Sequence, residues 1–305
     1  MWPDLLIMVV LGGAAIRINA APLLGTRTFP VTFDRSGDIV FPSLAYPNRG
    51  WIVSPLLTGI LCSVIPMSVI LLSQFRVRSF WDANNGIMGL GLALLMGIVS
   101  KLLIKHLVGG FRPSFLQVCM PDTSLAAARN ASGLNGVGFQ QAFYTADICT
   151  QPDKGALKVA MTSFPSGHTT VASAGFGFLY LYLNGKLKVI SASRPRLWTA
   201  VLLVLPLLAA FLMGAILTVD RAHHWYDILA GAVIGTVTAL IAYRSCYAAT
   251  WDWRYNHIPL ARGETFLYKP GNAAQSRHGV LANRDWGKPR PREEEQLGIE
   301  MEEMV

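Results

Sequence analysis

Long apolar runs separated by short polar seams dominate the chain. Five runs, near 51–73, 86–108, 168–185, 197–219 and 225–245, approach or exceed the about 20 residues that an α-helix needs to cross a bilayer core. A sixth, 4–24, is interrupted by Arg17. The pattern predicts an all-α bundle of six transmembrane helices, with residues 1–248 forming one membrane domain. From 249 onward the apolar signal stops. The stretch 249–305 is mixed and basic, then acidic at its end, REEEQLGIEMEEMV. It reads as a disordered cytoplasmic tail, because such a composition cannot bury enough apolar surface to offset ordering. No internal repeat is visible.

The first run has two readings. Its apolar stretch followed by Asn19-Ala20-Ala21-Pro22 has the form of a signal peptide with a small-residue cleavage site. The start Met1-Trp2-Pro3-Asp4 carries an acidic residue and no basic one, which favours a retained helix with Arg17 reaching to the interface.

Composition strengthens the membrane reading. Charged residues make up 14% of the chain and hydrophobic residues 52%, against about 25% charged in soluble domains. Charge placement then sets an expected orientation. Arg76 and Arg78 lie in the second loop, and Lys186, Lys188, Arg194 and Arg196 in the fourth. Basic residues in short loops mark the cytoplasmic side. Both termini share that side, and loops one, three and five face the lumen or exterior. In loop three, about 110–165, Asn130-Ala131-Ser132 is a glycosylation acceptor pattern, useful on the luminal side. Cys119 and Cys149 share that loop, where an oxidising compartment permits a disulfide; two free thiols are the alternative. Cys62 and Cys246 fall in or beside helices and read as packing residues. A membrane lipid is the expected partner, and no nucleic acid is.

Candidate chemistry gathers at three seams. Lys105 closes one apolar run and is followed by Gly109, Gly110 and Arg112. A glycine hinge lets the chain turn back so that a point charge and a planar fork converge on one anion; a positive helix end at the interface is the plainer alternative. Phe164-Pro165-Ser166-Gly167-His168 opens the next run. Ser166 and Gly167 stand where helix N–H groups are unpaired, which favours an anion; a simple serine cap is the alternative. His223, His224 and Asp227 sit between the last two runs. His223 and Asp227 share a helical face, so the carboxylate can fix the imidazole tautomer and leave the other nitrogen as nucleophile or base. The alternative is two polar caps. A zinc site is disfavoured, since the histidines are adjacent rather than four apart and cysteine ligands are lacking nearby. No metal and no cofactor are expected.

Taken in order, KHLVGGFRP, FPSGH and HHWYD resemble the type 2 phosphatidic acid phosphatase superfamily, and most nearly its eukaryotic lipid phosphate phosphatases, of the kind fungi use on diacylglycerol pyrophosphate. The likeness covers about 30–247. It implies a metal-free hydrolase in which His223 attacks phosphorus, Asp227 orients it and His168 protonates the leaving oxygen. Lys105, Arg112, Ser166 and Gly167 would hold the phosphoryl oxygens. One position departs from the pattern. The family's third motif carries an arginine six residues before the nucleophile, and here that residue is Leu217. If the helix persists, Arg221 lies one turn beyond and would replace the missing cation; Lys101, one turn below Lys105, is a second candidate.

The resulting expectation is an integral membrane phosphatase acting on phosphomonoester or pyrophosphate headgroups such as phosphatidic acid or diacylglycerol pyrophosphate. Isoprenoid diphosphate hydrolysis and headgroup exchange need the same site with other grooves. A catalytically weakened lipid-binding or regulatory relative is the reading from a different class, and Leu217 is the residue that keeps it open. The haloperoxidases of the wider superfamily are soluble, so the apolar runs disfavour that activity.

Overall fold

A computed structural model describes residues 2–23, 27–31, 41–122, 137–138, 143–192 and 194–260. The Asn130 sequon and residues 261–305 of the C-terminal tail lie outside the described residues. Among the described residues there are six long helices: α1 (Trp2–Ala20), α2 (Pro55–Val77), α3 (Phe80–Leu107), α6 (Gly167–Leu187), α7 (Leu197–Val219) and α8 (Trp225–Cys246). Short helices α4 (Phe115–Cys119) and α5 (Lys154–Ala160) and strands β1 (Thr28–Pro30) and β2 (Phe143–Thr145) lie between them. Among the described residues four helices, α2, α3, α7 and α8, are long and apolar enough to cross a membrane, which makes this a multi-pass integral membrane protein.

Local signals explain the helix ends. Ser54 accepts from the Leu57 N–H, and Pro55 takes the first position of α2, where its missing N–H costs nothing. Ser79 accepts from the Asp82 N–H and starts α3 earlier than the apolar run suggests. Asn84 and Asn85 precede the apolar run at 86–108, and Asn85 Nδ2 donates to the carbonyls of Cys246 at 3.1 Å and Leu260 at 2.9 Å. Those distant partners hold the polar turn inside the helix.

Helix α6 is the centre of the bundle, packing against α2, α3, α7 and α8. It is rich in Gly, Ala, Ser and Thr, which lets neighbours approach closely. A Cβ on Gly175 would lie 2.3 Å from the Cys62 carbonyl of α2. On α8, a Cβ on Gly235 would lie 2.3 Å from the Thr170 carbonyl, and one on Gly231 2.7 Å from that of Ser166. This glycine pair, four apart, seats α8 on α6. It also fixes the start of one helix against the start of the other.

The described parts of loops one and three fold together as a cap over that end. Strands β1 and β2 pair antiparallel, with Phe29 opposite Tyr144. Phe29, Phe115, Leu116, Tyr144, Ile148 and Leu157 form a separate apolar core beneath them. A disulfide joins Cys119 to Cys149 within the same core. Cys62 and Cys246 are free thiols, the first of them buried.

Candidate active site

Lys105 lies in the last turn of α3. Beyond it, Gly109 and Gly110 adopt φ of +66° and +96°, a left-handed backbone that side chains disfavour. The chain therefore doubles back beside residues 163–164. Phe164 N–H donates to the Gly109 carbonyl at 2.6 Å and Ser163 N–H to that of Gly110 at 2.9 Å. Arg27 stabilises the turn from loop one. Its guanidinium donates to the carbonyls of Lys105 (3.3 Å), His106 (3.2 Å) and Met161 (2.7 Å). A side chain at 109 would collide with it.

The reversal brings Arg112 under the cap. It is buried, donates from Nε to the Val159 carbonyl at 2.9 Å and from Nη1 to that of Ala222 at 3.3 Å, and lies 4.7 Å from the Trp51 ring. Burial lowers its pKa to about 10, with Asp227 and Asp220 opposing, so it keeps its charge at neutral pH. The same Trp51 ring stacks on His168 at 5.0 Å. His168 Nε2 lies 3.1 Å from the Val53 carbonyl. A carbonyl only accepts, so this nitrogen carries the proton.

Ser166 caps α6, and Gly167 and His168 begin it. The Ser166 N–H already donates to the Asp227 carbonyl at 3.0 Å, which leaves the N–H groups of Gly167 and His168 as the helix-end donors. Gly167 leaves room for Lys101, whose Nζ lies 2.7 Å from where a Cβ at 167 would be.

His223 and Asp227 meet through a third residue. Their direct separation, Nδ1 to Oδ2, is 3.6 Å, too long for a good hydrogen bond. Ser163 stands between them, donating to Asp227 Oδ2 at 2.5 Å and lying 3.2 Å from His223 Nδ1. With its one proton committed to the carboxylate, the hydroxyl oxygen can only accept from Nδ1. Nε2 is thereby the nitrogen with the free lone pair. Burial pushes the His223 pKa down to about 3, Asp227 opposing and Arg112 and Lys105 adding to the shift. The ring is neutral at physiological pH. His224 differs. It caps α8, its N–H donating to Asp227 Oδ2 at 3.0 Å, and its ring stacks on Tyr226.

Lys101, Lys105, Arg112, Gly167, His168 and His223 line one cavity of about 680 Å³. Its other walls are apolar or weakly polar, from Ala15 and Ile16 of α1, Pro55 and Gly59 of α2, and Ile98 and Leu102 of α3. Among the described residues no group of three or more His, Cys, Asp or Glu is placed to hold a metal ion.

Arg221 is a correction to the sequence reading. It does not line the cavity; it is exposed, with its guanidinium 4.5 Å from the Tyr46 ring. The expectation assumed that α7 continues, but α7 ends at Val219, and Arg221 has φ of +56°. The face relationship to Leu217 is lost in that turn. Lys101, the second candidate, does reach the cavity. Leu217 is fully buried. Three residues on, buried Asp220 Oδ2 has no hydrogen-bond partner among the described residues. Sequence reasoning missed Ser163, Trp51 and Arg27. Ser163 could have been suspected only from its position two residues before Pro165.

The PAP2 superfamily model matches residues 86–251, which contain Lys105, Arg112, His168, His223 and Asp227. A PA-phosphatase related-family protein of Dictyostelium discoideum is 30% identical over 72% of this chain and 63% of its own length. Lipid phosphate phosphatase 2 of Arabidopsis thaliana is 32% identical over 71% of this chain and 69% of its own. Diacylglycerol pyrophosphate phosphatase 1 of Saccharomyces cerevisiae is 32% identical over 53% and 52%. The chain thus spans less than two thirds of the Dictyostelium relative and slightly more of the Arabidopsis one. No solved structure matches it. With the family model covering more than half of the sequence, the chain belongs to the PAP2 superfamily.

Proposed function

We propose that this protein hydrolyses the phosphate or pyrophosphate headgroup of a membrane lipid, of the phosphatidic acid or diacylglycerol pyrophosphate kind, through a phosphohistidine on His223. The observation that carries the reading is the double character of the 680 Å³ cavity. Three cations and two histidines line part of it, and most of the remaining wall is apolar, from α1, α2 and α3 with Trp51, Val159 and Val171, interrupted by Asn19, Thr58 and Thr162. A phosphate at the charged part would leave its acyl chains against apolar walls, as an amphiphile requires and a soluble phosphate does not.

In this scheme the Nε2 lone pair of His223 attacks phosphorus, and the bond from phosphorus to the leaving oxygen breaks. His168, made an imidazolium by a proton the bound phosphate monoester brings, gives that oxygen its Nε2 proton and is left a neutral imidazole, the leaving oxygen taking the place of the Val53 carbonyl. Water then attacks the phosphohistidine, the N–P bond breaks, and His168 recovers a proton. Lys105, Arg112, Lys101 and the N–H groups of Gly167 and His168 neutralise the phosphoryl oxygens; Ser166 holds the helix end they belong to. Such preorganised donors supply the largest part of phosphoryl-transfer catalysis. All of this charge comes from side chains and a helix end, so no divalent ion is required. With α1 and α6 as the fifth and sixth spans, the cap and the site face the lumen or exterior, where the Asn130 sequon and the disulfide belong.

Purified protein in nanodiscs, supplied with dioleoyl phosphatidic acid or diacylglycerol pyrophosphate, tests this. Phosphate release should persist in EDTA. It should vanish in His223→Ala and survive in His224→Ala, and radiolabelled phosphate should be trapped on the wild type by an alkaline detergent quench, in which the N–P bond survives. Full activity in His223→Ala would refute the assignment. So would loss of activity in chelator that a divalent ion restores. Leu217 favours the second reading, a lipid binder that has lost catalysis; saturable binding of phosphatidic acid with no phosphate release from either lipid would establish it.

A further inference from the structure

A second, larger cavity of about 1070 Å³ opens at the opposite end of the bundle. Five cations line it, Arg76, Lys186, Lys188, Arg194 and Arg196, with the single carboxylate of Asp82. Asp82 and Lys105 are at opposite ends of α3, 23 positions apart in the sequence. At about 1.5 Å per residue that is roughly 34 Å, about the thickness of a bilayer core. The two cavities therefore face opposite sides of the membrane.

The carboxylate does not balance the cations. Asp82 is already satisfied inside the protein, in an ion pair with Lys186 and by donors from Tyr182 Oη (2.8 Å), Gln74 Nε2 (2.9 Å) and Tyr247 Oη (3.2 Å). Lys188 is likewise committed, to the Trp253 carbonyl, to Asn256 Oδ1 at 2.8 Å and to His257 Nδ1 at 2.8 Å. These two lysines fix the floor of the cavity. Arg76, Arg194 and Arg196 are exposed side chains around its mouth. Charges that served only to orient the protein in a membrane need not converge on one concavity. These converge, and the positive end of α7 joins them, since Arg196 is its N-cap and the first N–H groups of that helix lack intrahelical acceptors.

Trp198 also lines the cavity, and with Leu197 it is largely exposed at the mouth. Tryptophan with an exposed apolar neighbour marks the headgroup level of a bilayer. A ligand held there has its charge among arginines and its body beside lipid. We infer that this cavity binds the headgroup of an anionic phospholipid from the leaflet opposite the candidate active site. Arginine forks match the phosphate oxygens. The site is one for a ligand and not a second reaction centre, because Nδ1 of its histidine, His257, accepts from Lys188, which leaves the proton on Nε2 and no free lone pair for attack. The inference does not depend on the chain being an active phosphatase.

The test is tryptophan fluorescence titration of the full-length protein in a neutral maltoside detergent. The probes are dioctanoyl phosphatidylserine, dioctanoyl phosphatidylcholine and inorganic phosphate. Phosphatidylserine, a phosphodiester, should bind saturably, and at least tenfold more tightly than phosphatidylcholine. Arg194→Gln with Arg196→Gln should weaken it at least tenfold, and Lys105→Met in the other cavity should leave it unchanged. Ten-millimolar phosphate should not displace it. Unchanged affinity in the arginine double variant, an equal loss in Lys105→Met, equal binding of phosphatidylcholine or displacement by phosphate would each overturn the proposal. If the double variant elutes as aggregate, Arg76→Gln replaces it, with a threefold or greater loss expected and an unchanged affinity counting against the site.

Discussion

The Ser163 hydroxyl donates to Asp227 Oδ2 at 2.5 Å, and this bond decides which nitrogen of His223 is free. A carboxylate 3.6 Å from the imidazole would hold it weakly. The serine closes that gap and, having one proton, passes the constraint on. Asp227 is tied in further through its backbone carbonyl, which accepts from Ser166 N–H. The start of α6 and the start of α8 are thus parts of one hydrogen-bonded unit.

If Ser163 positions the nucleophile, Ser163→Ala should lower kcat by about ten- to a hundredfold, the range of a lost hydrogen bond to a charged group of roughly 1.5–3 kcal/mol. KM should stay within about twofold, because Ser163 does not line the cavity. Ser163→Thr, which keeps the hydroxyl, should recover most of the loss. Steady-state kinetics on a lipid phosphate measures both. A fall confined to KM, or a threonine variant as poor as alanine, would leave Ser163 a packing residue.

Lys101 and Arg221 make opposite predictions. Lys101 Nζ lies in the crowded space beside Gly167, inside the cavity. Lys101→Met should reduce kcat/KM by about ten- to a hundredfold, as expected for one charge-assisted contact. Arg221→Gln should change it by less than about twofold, since its guanidinium lies outside on Tyr46. Parallel assays of the two variants check this, and a silent Lys101→Met with an impaired Arg221→Gln would reverse the geometry.

The apolar runs located the helices because membrane spans must be apolar along their length. They did not locate what depends on distant partners. The N-terminal turn of α3 is polar, and Asp82 is held there by Lys186 and Tyr182 from α6. The cap is three-residue strands paired between residues 28–30 and 143–145, too short for any periodicity to announce. The site residues of the three motifs were legible as residue types at helix ends. The turn that removes Arg221 was not, because a non-glycine residue takes the left-handed conformation there. Ser163 was hidden for another reason: its role exists only when the glycine turn at 109–110 brings its backbone beside the end of α3.

Acid should destabilise the protein through His223. Its folded pKa, about 3, lies below the ordinary value of 6.5. Between those values the unfolded chain binds a proton that the folded site excludes. The contribution is therefore present above pH 6.5 and is lost as pH falls toward 3, at up to about 1.4 kcal/mol per pH unit. His223→Asn has no such proton to bind. Between pH 7 and pH 5 the wild-type thermal midpoint in detergent should fall further than that of the variant. Parallel curves would show that the ring is protonated in the folded state as readily as in the unfolded chain.

Leu217 and Asp220 supply the remaining prediction. Asp220 is buried, burial raises its pKa, and Oδ2 has no hydrogen-bond partner among the described residues. An unpartnered buried carboxylate oxygen is costly. Leu217 precedes it by three residues at the end of α7, a spacing at which side chains are neighbours. An arginine at 217 could reach Oδ2 with one arm of its fork and present the rest toward the phosphate. Leu217→Arg should then raise kcat/KM by about tenfold or more, the value of one charge-assisted hydrogen bond of roughly 1.5–3 kcal/mol. The gain should disappear in Leu217→Arg with Asp220→Asn, where the new cation has no carboxylate to orient it. Asp220→Asn alone should lower turnover only slightly, since the amide oxygen still accepts from the Ala222 N–H and Asp227 remains to favour the Arg112 charge. If Leu217→Arg folds, as judged by its elution profile, and leaves kcat/KM unchanged or lower, the orphaned oxygen is not the trace of a lost arginine. The leucine would then be part of a site that works with Lys101, Lys105 and Arg112 alone.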